Sequence, residues 1–325
     1  TRVQGLPAVL LMTYRDDALA RDHPLRGVLG ALGSTAASRL RLTSLTADAV
    51  RAMAAPTSLD PGELFELTGG NPFYVSEVLA SPGSVVPPTV VDAVLARVRT
   101  LSEAAQKALD RLAVIPSGAE VGLLRILVGD LTPVAEAERA GVVEVRGDLV
   151  AFRHELARRA VAESLPASVR LELNADVLCA LLTGPDSDPF RILHHAVEAG
   201  DDNAVITHGE EAAREAARVG AHRQAAACYA QVLARGHRQS TARRAALGEA
   251  YSWALSNSNQ LHFAVAAAAT AAELWQQDGD DTRLIRALVT LSRQQWLTER
   301  TAAARTSAER AFELARPLGD SYQNA

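Results

Sequence analysis

The chain has 325 residues, of which 48% are hydrophobic, 22% charged and 4% aromatic, with a formal net charge of −5. At about 150 residues per domain it predicts roughly two domains with ordinary apolar cores, which excludes disordered, collagen-like and disulfide-built classes. Cys179 and Cys228 stand far apart and outside any Cys-x-x-Cys, no run of about 18 apolar residues is present, and the acidic balance argues against coating a polyanion. The expectation is a cytoplasmic protein with no membrane contact and no metal site.

Taken in chain order, Val9 to Tyr14 (VLLMTY) is a continuous apolar run that fits a strand covered on both faces, and Arg39 to Leu45 (RLRLTSL) alternates like a second strand. Residues 1–45 therefore read as the C-terminal remnant of an α/β domain. From residue 46 onward the pattern is helical. Helices are expected over 47–55, 60–68, 72–80, 87–99 and 102–115, punctuated by Pro56, Pro61, Gly69-Gly70, Pro82-Gly83 and Pro87-Pro88. Further helices over 119–128 and 132–140 precede two short apolar runs, 141–145 and 149–152, joined at Arg146-Gly147-Asp148, which reads as a hairpin. Helices over 154–164 and 167–182 complete a winged-helix outline. The divisions are thus 46–116, a helical lid, and 117–183, the winged helix.

Thr183 to Pro189 (TGPDSDP) is the linker candidate, and alanine becomes more frequent after it. Ala225–Leu233, Ala264–Leu274 and Ala303–Leu314 recur at a spacing near 40 residues, as do Arg244–Leu255 and Arg286–Leu297, which carry Trp253 and Trp296. A helical pair recurring at this length predicts a tetratricopeptide-like α-solenoid over 190–325, with the two tryptophans in corresponding places of successive repeats. The fold class is therefore mainly α.

Only one lysine, Lys107, occurs in the chain, and it is not in a Gly-x-x-x-x-Gly-Lys-[Ser/Thr] loop, so the backbone cradle of a P-loop is missing. Nucleophile-elbow and His-Glu-x-x-His motifs are missing too, and no catalytic residue is assigned. His194-His195 and the other histidines have no third ligand at useful spacing and read as structural.

Three segments carry a resemblance: VLLMTYRDDAL at 9–19 followed by His23-Pro24-Leu25, GGNPFYVSEVL at 69–79, and FRHELARRAVAESL at 152–165. In this order they resemble the STAND-type ATPases that form the sensory module of large LuxR-family transcriptional regulators, and with the solenoid the similarity covers essentially the whole chain. The resemblance implies that residues 1–45 are the end of an ATPase core. It also implies that Arg15 is a sensor arginine for the terminal phosphate, that Pro72 lies against the adenine, and that His154 touches the phosphate and holds a closed, inactive state. Read from the residues alone, Arg15 belongs to a polar strand-end turn. Gly69-Gly70-Asn71-Pro72 stops one helix and caps the next. His154 is a polar helix-start residue, with Leu156, Ala160, Val161 and Leu165 buried and Arg153, Arg158 and Arg159 solvated. Where the family often has a later histidine, Asn174 stands.

ATP or ADP is the cofactor implied for a full-length parent, hydrolysing slowly as a switch, with none expected tightly bound to this chain. The expected partners are a protein or small-molecule inducer on the repeats and DNA through a C-terminal helix-turn-helix that this sequence lacks; homo-oligomer formation stays open. Residues 119–183 hold ten acidic residues against seven arginines, so the winged helix itself is not a DNA reader. The alternatives are a non-catalytic interaction scaffold, or an ATPase enzyme in its full-length form.

Overall fold

The computed structural model describes residues 12–14, 24–31, 40–80, 86–184 and 188–317. Arg15, residues 9–11 of the expected 9–14 strand and the Pro82-Gly83 break lie outside them, and residues 12–14 form no strand. The chain forms two units, Thr1–Leu173 and Asn174–Ala325, whose border falls inside one helix, Ala167–Thr183.

Proline and side-chain caps set the helix starts of the first unit. After a short α1 (Pro24–Ala31), α2 (Ala47–Ala54) begins behind Thr46, whose hydroxyl accepts from the Ala49 N–H. Asp60 caps α3 (Pro61–Thr68), Pro72 opens α4 (Pro72–Ala80), Pro88 opens α5 (Pro88–Val98), and Ser102 caps α6 (Glu103–Ala113). Then follow β1 (Ala119–Glu120), α7 (Val121–Val128), α8 (Thr132–Arg139), β2 (Val143–Arg146), β3 (Leu149–Phe152) and α9 (Glu155–Ser164). The three strands form an antiparallel sheet of order β1-β3-β2, with Ala119 opposite Val150 and Val143 opposite Phe152. The hairpin stands as the sequence indicates; β1 is an addition, because two residues are too few to show a period. The core of this unit gathers Val50, Leu64, Val75, Val90, Leu109, Leu112, Ile115, Leu124, Val143 and Leu156, all buried.

α6 packs on α8 and α9, and α5 packs on α9. The Ser102 N–H and hydroxyl both donate to the Glu136 carboxylate of α8, at 2.8 and 2.6 Å, which ties the start of α6 into the winged-helix set. Two local expectations fail. Residues 40–45 pair with no strand among the described residues; instead the Leu45 N–H donates to the Gly70 carbonyl at 2.8 Å. Arg158 is not solvated: its guanidinium pairs with Glu155 and donates to the Ala113 carbonyl, satisfying a carbonyl at the end of α6.

The second unit contains the end of α10 (Ala167–Thr183), then α11 (Pro189–Glu198), α12 (Asp202–Arg218), α13 (His222–Ala234), α14 (Thr241–Asn257), α15 (Leu261–Asp278), α16 (Asp281–Leu297) and α17 (Thr301–Ala315). From α11 onward each helix packs on its sequence neighbours, while side chains also join every second helix. Arg243 of α14 pairs with Glu210 of α12, Ser252 of α14 bonds Gln294 of α16, and Arg310 of α17 donates to Gln276 of α15. Two rows of helices result, built from stacked pairs.

The repeat is fixed by backbone marks. The Ser252 hydroxyl donates to the Ala264 carbonyl at 2.9 Å and the Ser292 hydroxyl to the Ala304 carbonyl at 2.8 Å, the same bond 40 residues on (252 to 292). Asp201, Ser240 and Asp280 each cap the first helix of a pair. The turn inside each pair reaches a positive φ at Gly220, Asn259 and Glu299. This register overturns one expectation: 40 residues after Trp253 stands Arg293, and 40 before Trp296 stands Ser256. Both tryptophans are exposed, at 50% and 65%. Their positions are therefore surface positions, which the packing of one repeat on the next leaves unspecified, and they do not correspond.

Candidate functional site

The Gly69-Gly70-Asn71-Pro72 turn folds by the local rules its residues dictate. Gly69 ends α3 in the left-handed region (φ 58°) and its N–H donates to the Phe65 carbonyl at 2.8 Å. The Asn71 side chain accepts from the Phe73 N–H at 3.0 Å and so starts α4. Gly70 (φ 68°) lies so close to the Leu45 carbonyl oxygen that a Cβ there would collide with backbone.

His154 approaches this turn from a segment some eighty residues later. It occupies the N-cap position of α9 in extended conformation (φ −135°, ψ 133°), yet its side chain caps nothing. Its ring stands edge-on to Tyr74, centroids 5.1 Å apart. The Nδ1 atom is buried without a hydrogen-bond partner, and a Cβ on Gly69 would lie 3.1 Å from it. Glycine at 69 thus serves twice, for the left-handed cap and for the approach of the imidazole.

Asn71, Tyr74 and His154 line a cavity of about 720 Å³, together with Phe73 of α4, Val94 and Arg97 of α5, Val142 beside β2, and Arg153 and Ala157 around the start of α9. The volume falls in the range of small-ligand sites, about 300–1,000 Å³. Arg97 is fixed in place, its guanidinium donating to the Ala140 carbonyl at the end of α8. Burial, then the charges of Arg153 and Arg97, push the His154 pKa down to about 4, so the imidazole is neutral at neutral pH. Phe73, 45% exposed, and Tyr74 offer planar faces beside two guanidinium-bearing residues. Such a cavity matches a ligand with an anionic end and a planar ring.

Of the sequence candidates, His154 and the 69–72 turn are brought together. Pro72 is exposed and is not itself among the lining residues; Asn71, Phe73 and Tyr74 on either side of it are. Arg15 lies outside the described residues. Arg97 and Tyr74 escaped the sequence reading; Arg153 is exposed, as expected, and also lines the cavity. Tyr74 and Arg153 lie inside the segments 69–79 and 152–165 that carry the resemblance and could have been taken with them, whereas nothing in the sequence around Arg97 marks it. Asn174 has a different partner: buried, it bonds His195 Nδ1 through Oδ1 at 2.7 Å, linking α10 to α11. Among the described residues no group of three His, Cys, Asp or Glu could hold a metal ion, and no helix is long and apolar enough to cross a membrane.

No protein-family model matches the chain, and no curated protein matches it. Among solved structures it is similar to a signal transduction ATPase with numerous domains (STAND) protein with a tetratricopeptide repeat sensor from Pyrococcus horikoshii. That match has 15% identity and a TM-score of 0.39, and covers 89% of this chain and 56% of that one, so the chain spans little more than half the length of that structure. It is also similar to BtubC from P. vanneervenii, at 13% identity and a TM-score of 0.33, over 65% of this chain and 92% of that one. Overlap at this level fixes no residue correspondence.

Proposed function

We propose that this chain is the regulatory part of a STAND-type, ATP-dependent transcriptional regulator of the LuxR family. In this reading the lid and winged helix sense the nucleotide and the helical repeats receive the inducing signal. The observation that carries the reading is the convergence of two motifs distant in sequence, the 69–72 turn and His154, on one cavity with Arg97 and Arg153. Its cationic side suits the phosphates of ADP or ATP and its aromatic side the base. The P-loop amides that would surround the phosphates are missing from the sequence, so the nucleotide affinity of this chain alone is weak. DNA contact belongs to a helix-turn-helix outside this sequence.

Two measurements test the proposal. Calorimetry and NMR titration of this chain with ADP should give weak, saturable binding in the millimolar range that moves the His154 ring signals and disappears in His154→Ala. A parent protein carrying His154→Ala should raise basal transcription from its reporter, because a contact made only in the closed state is removed and the population shifts toward the open one. ADP leaving the His154 signals unmoved at millimolar concentration removes the nucleotide reading.

The stacked pairs of the second unit support a second reading, a non-catalytic scaffold whose repeats bind a partner and whose first-unit cavity is structural. Unchanged basal transcription in the His154 variant, with normal melting, favours it.

A further inference from the structure

The first helices of the repeat pairs carry a second regularity. Arg214 of α12, Trp253 of α14 and Arg293 of α16 each stand thirteen residues after the cap of their helix (201 to 214, 240 to 253, 280 to 293). They therefore hold one position in three successive repeats, an indole with a guanidinium on either side. The Ser252–Gln294 hydrogen bond, between chain neighbours of Trp253 and Arg293, sets α14 beside α16 at this level, and the Arg243–Glu210 pair sets α14 beside α12. All three side chains are open to solvent, Trp253 at 50% and Arg214 at 69%.

Charge on this row departs from that of the chain. α14 and α16 together carry five arginines against Glu249 and Asp281, whereas the second helices α13, α15 and α17 carry three arginines against four acids, and the whole chain stands at −5. The Arg293 guanidinium makes no hydrogen bond or ion pair with another described residue. Arg214 and Arg243 share one carboxylate, that of Glu210, which leaves a surplus of positive charge. The His222 ring steadies the Trp253 indole edge-on at 5.0 Å, and Val289 and Trp296 add exposed apolar surface on α16. Single exposed apolar side chains are ordinary on a protein surface. What singles out this row is the placing of the indole, in register, between two cations.

We propose that this row is the docking surface for an acidic peptide of a partner protein, which crosses α12, α14 and α16 with an aromatic side chain on Trp253 and a carboxylate on each flanking arginine. The proposal rests on the reading of the repeats as the part that receives the signal, and names the chemistry received. A guanidinium matches a carboxylate in a fork, and an aromatic ring packs on indole. A polyproline-II segment places every third side chain on one face about 9 Å apart, against about 8–10 Å between the axes of neighbouring packed helices. The row thus reads Glu-x-x-Phe-x-x-Glu. A nucleic acid strand fits less well, because its continuous phosphate charge would also meet Glu211 and Glu215, exposed on α12 beside Arg214. A peptide needs carboxylates at two points only.

The probe is acetyl-Glu-Pro-Pro-Phe-Pro-Pro-Glu-amide, titrated into the whole chain and read by Trp253 fluorescence as the difference from Trp253→Phe. The same peptide with both Glu replaced by Gln loses two exposed ion pairs and should bind at least about five-fold more weakly; with Phe replaced by Ala it should bind at least about ten-fold more weakly. Arg293→Glu changes an exposed side chain, so melting should stay unaltered while affinity for the Glu peptide falls at least about five-fold. Of the two peptides with Lys in place of one terminal Glu, the one that sets Lys against residue 293 should bind this variant more tightly than the Glu peptide does. Equal binding of the Glu and Gln peptides, absence of that charge-swap rescue, tighter binding of oligouridylate than of the peptide, or a dimer that Trp253→Ala abolishes, which makes a second copy the occupant, overturns the proposal. ADP titration at His154 in the same sample tests the nucleotide reading, so a failed peptide with an intact ADP response removes this partner alone.

Discussion

Gly209 of α12 and Gly248 of α14 hold the same place in successive repeats, 39 residues apart (209 to 248), and each faces one residue of the following helix. Substituting alanine at both separates the steric effect from every other. A Cβ at Gly209 would lie 2.5 Å from Val232 Cγ2 and 3.2 Å from Leu193 Cδ1; at Gly248 the nearest atom is Ala271 Cβ, at 3.3 Å. Carbon atoms rest at about 3.5–4.0 Å, so the first site overlaps by about an ångström and the second by a few tenths. Val232 is fully buried and β-branched, and cannot swing aside. Overpacking of this kind costs about 1–3 kcal/mol, whereas replacing an interior helical glycine by alanine contributes about 1 kcal/mol at either site.

Gly248→Ala is therefore expected to be neutral or stabilising by up to about 1 kcal/mol, and Gly209→Ala less stable than it by about 2 kcal/mol. Urea unfolding followed by tryptophan fluorescence measures this unit alone, because Trp253, Trp275 and Trp296 are the three tryptophans of the chain and all lie in it. Val232→Ala adds the decisive control, since it recreates at the first site the glycine–alanine pair of the second. Alone it should cost about 1.5 kcal/mol, at about 0.8 for each methyl-sized group removed, and much less in the Gly209→Ala background. Equal effects of the two glycine variants, or an additive double variant, would refute both the repeat register and the steric argument.

In the first unit, Gly70→Ala should destabilise by at least about 3 kcal/mol, since a positive φ and a collision with the Leu45 backbone add together; Gly69→Ala carries the same positive-φ strain but should cost less, because its Cβ meets the His154 ring rather than backbone. Thermal melting of the two variants checks the order. Glu210 is buried between Arg214 and Arg243, which are themselves largely exposed. Removing both arginines strands a buried carboxylate and should cost about 3–5 kcal/mol, while Glu210→Ala, which leaves two solvated cations, should cost clearly less; chemical unfolding of both variants tests the asymmetry. The His195 pKa is pushed down to about 3 by burial first, then by His194 and Arg191. Its unfolded value is near 6.5. The unfolded chain therefore binds the proton more readily, and the stability that His195 contributes is complete above about pH 6.5 and falls as the pH drops toward the folded value. Tryptophan-monitored unfolding should lose up to about 1.4 kcal/mol per pH unit between pH 6 and 4.5 from this group, and His195→Gln should flatten that slope.

The helices were legible because their punctuation is chemical. Pro61, Pro72, Pro88 and Pro189 each stand at the first position of a helix, and Gly69 and Gly279 each end one in the left-handed region. The repeat length was legible from the alanine-rich segments, since alanines of the second helix in each pair pack on the next pair; Ala264, Ala268, Ala271 and Ala272 are all buried. The tryptophans misled because a large residue attracts attention in a sequence, whereas the repeat is written in small buried residues and turn geometry. Asn259 and Glu299 adopt positive φ where Gly220 does; asparagine shares some of glycine's tolerance for that region, but no composition rule marks a Glu for the task. Arg97 could not be seen, because its role depends on α5 lying against α9, a contact between segments some sixty residues apart.

The 69–72 turn obeys its local rules, whereas the segment that meets it at the cavity has a property visible only with both sequence and structure in hand: at His154 it is locally suboptimal. A helix start favours Ser, Thr, Asp or Asn, yet α9 begins with a histidine that caps nothing. Buried polar atoms are normally paired, yet His154 Nδ1 has no partner. Two arginine charges stand close enough to oppose its protonation, with no carboxylate among the lining residues to balance them. A fold selected for stability alone would place serine at 154 and relieve all three costs together. Their coincidence on one wall, beside a glycine whose missing Cβ admits the ring, is what a site shaped for an anionic ligand requires, since such a ligand would balance the guanidinium charges and give the imidazole its hydrogen bond. His154→Ser therefore separates the two accounts. It should stabilise the free chain by about 1 kcal/mol through the new cap and abolish the response to ADP, whereas a purely structural histidine would lose stability on the same substitution and leave the ADP titration unchanged.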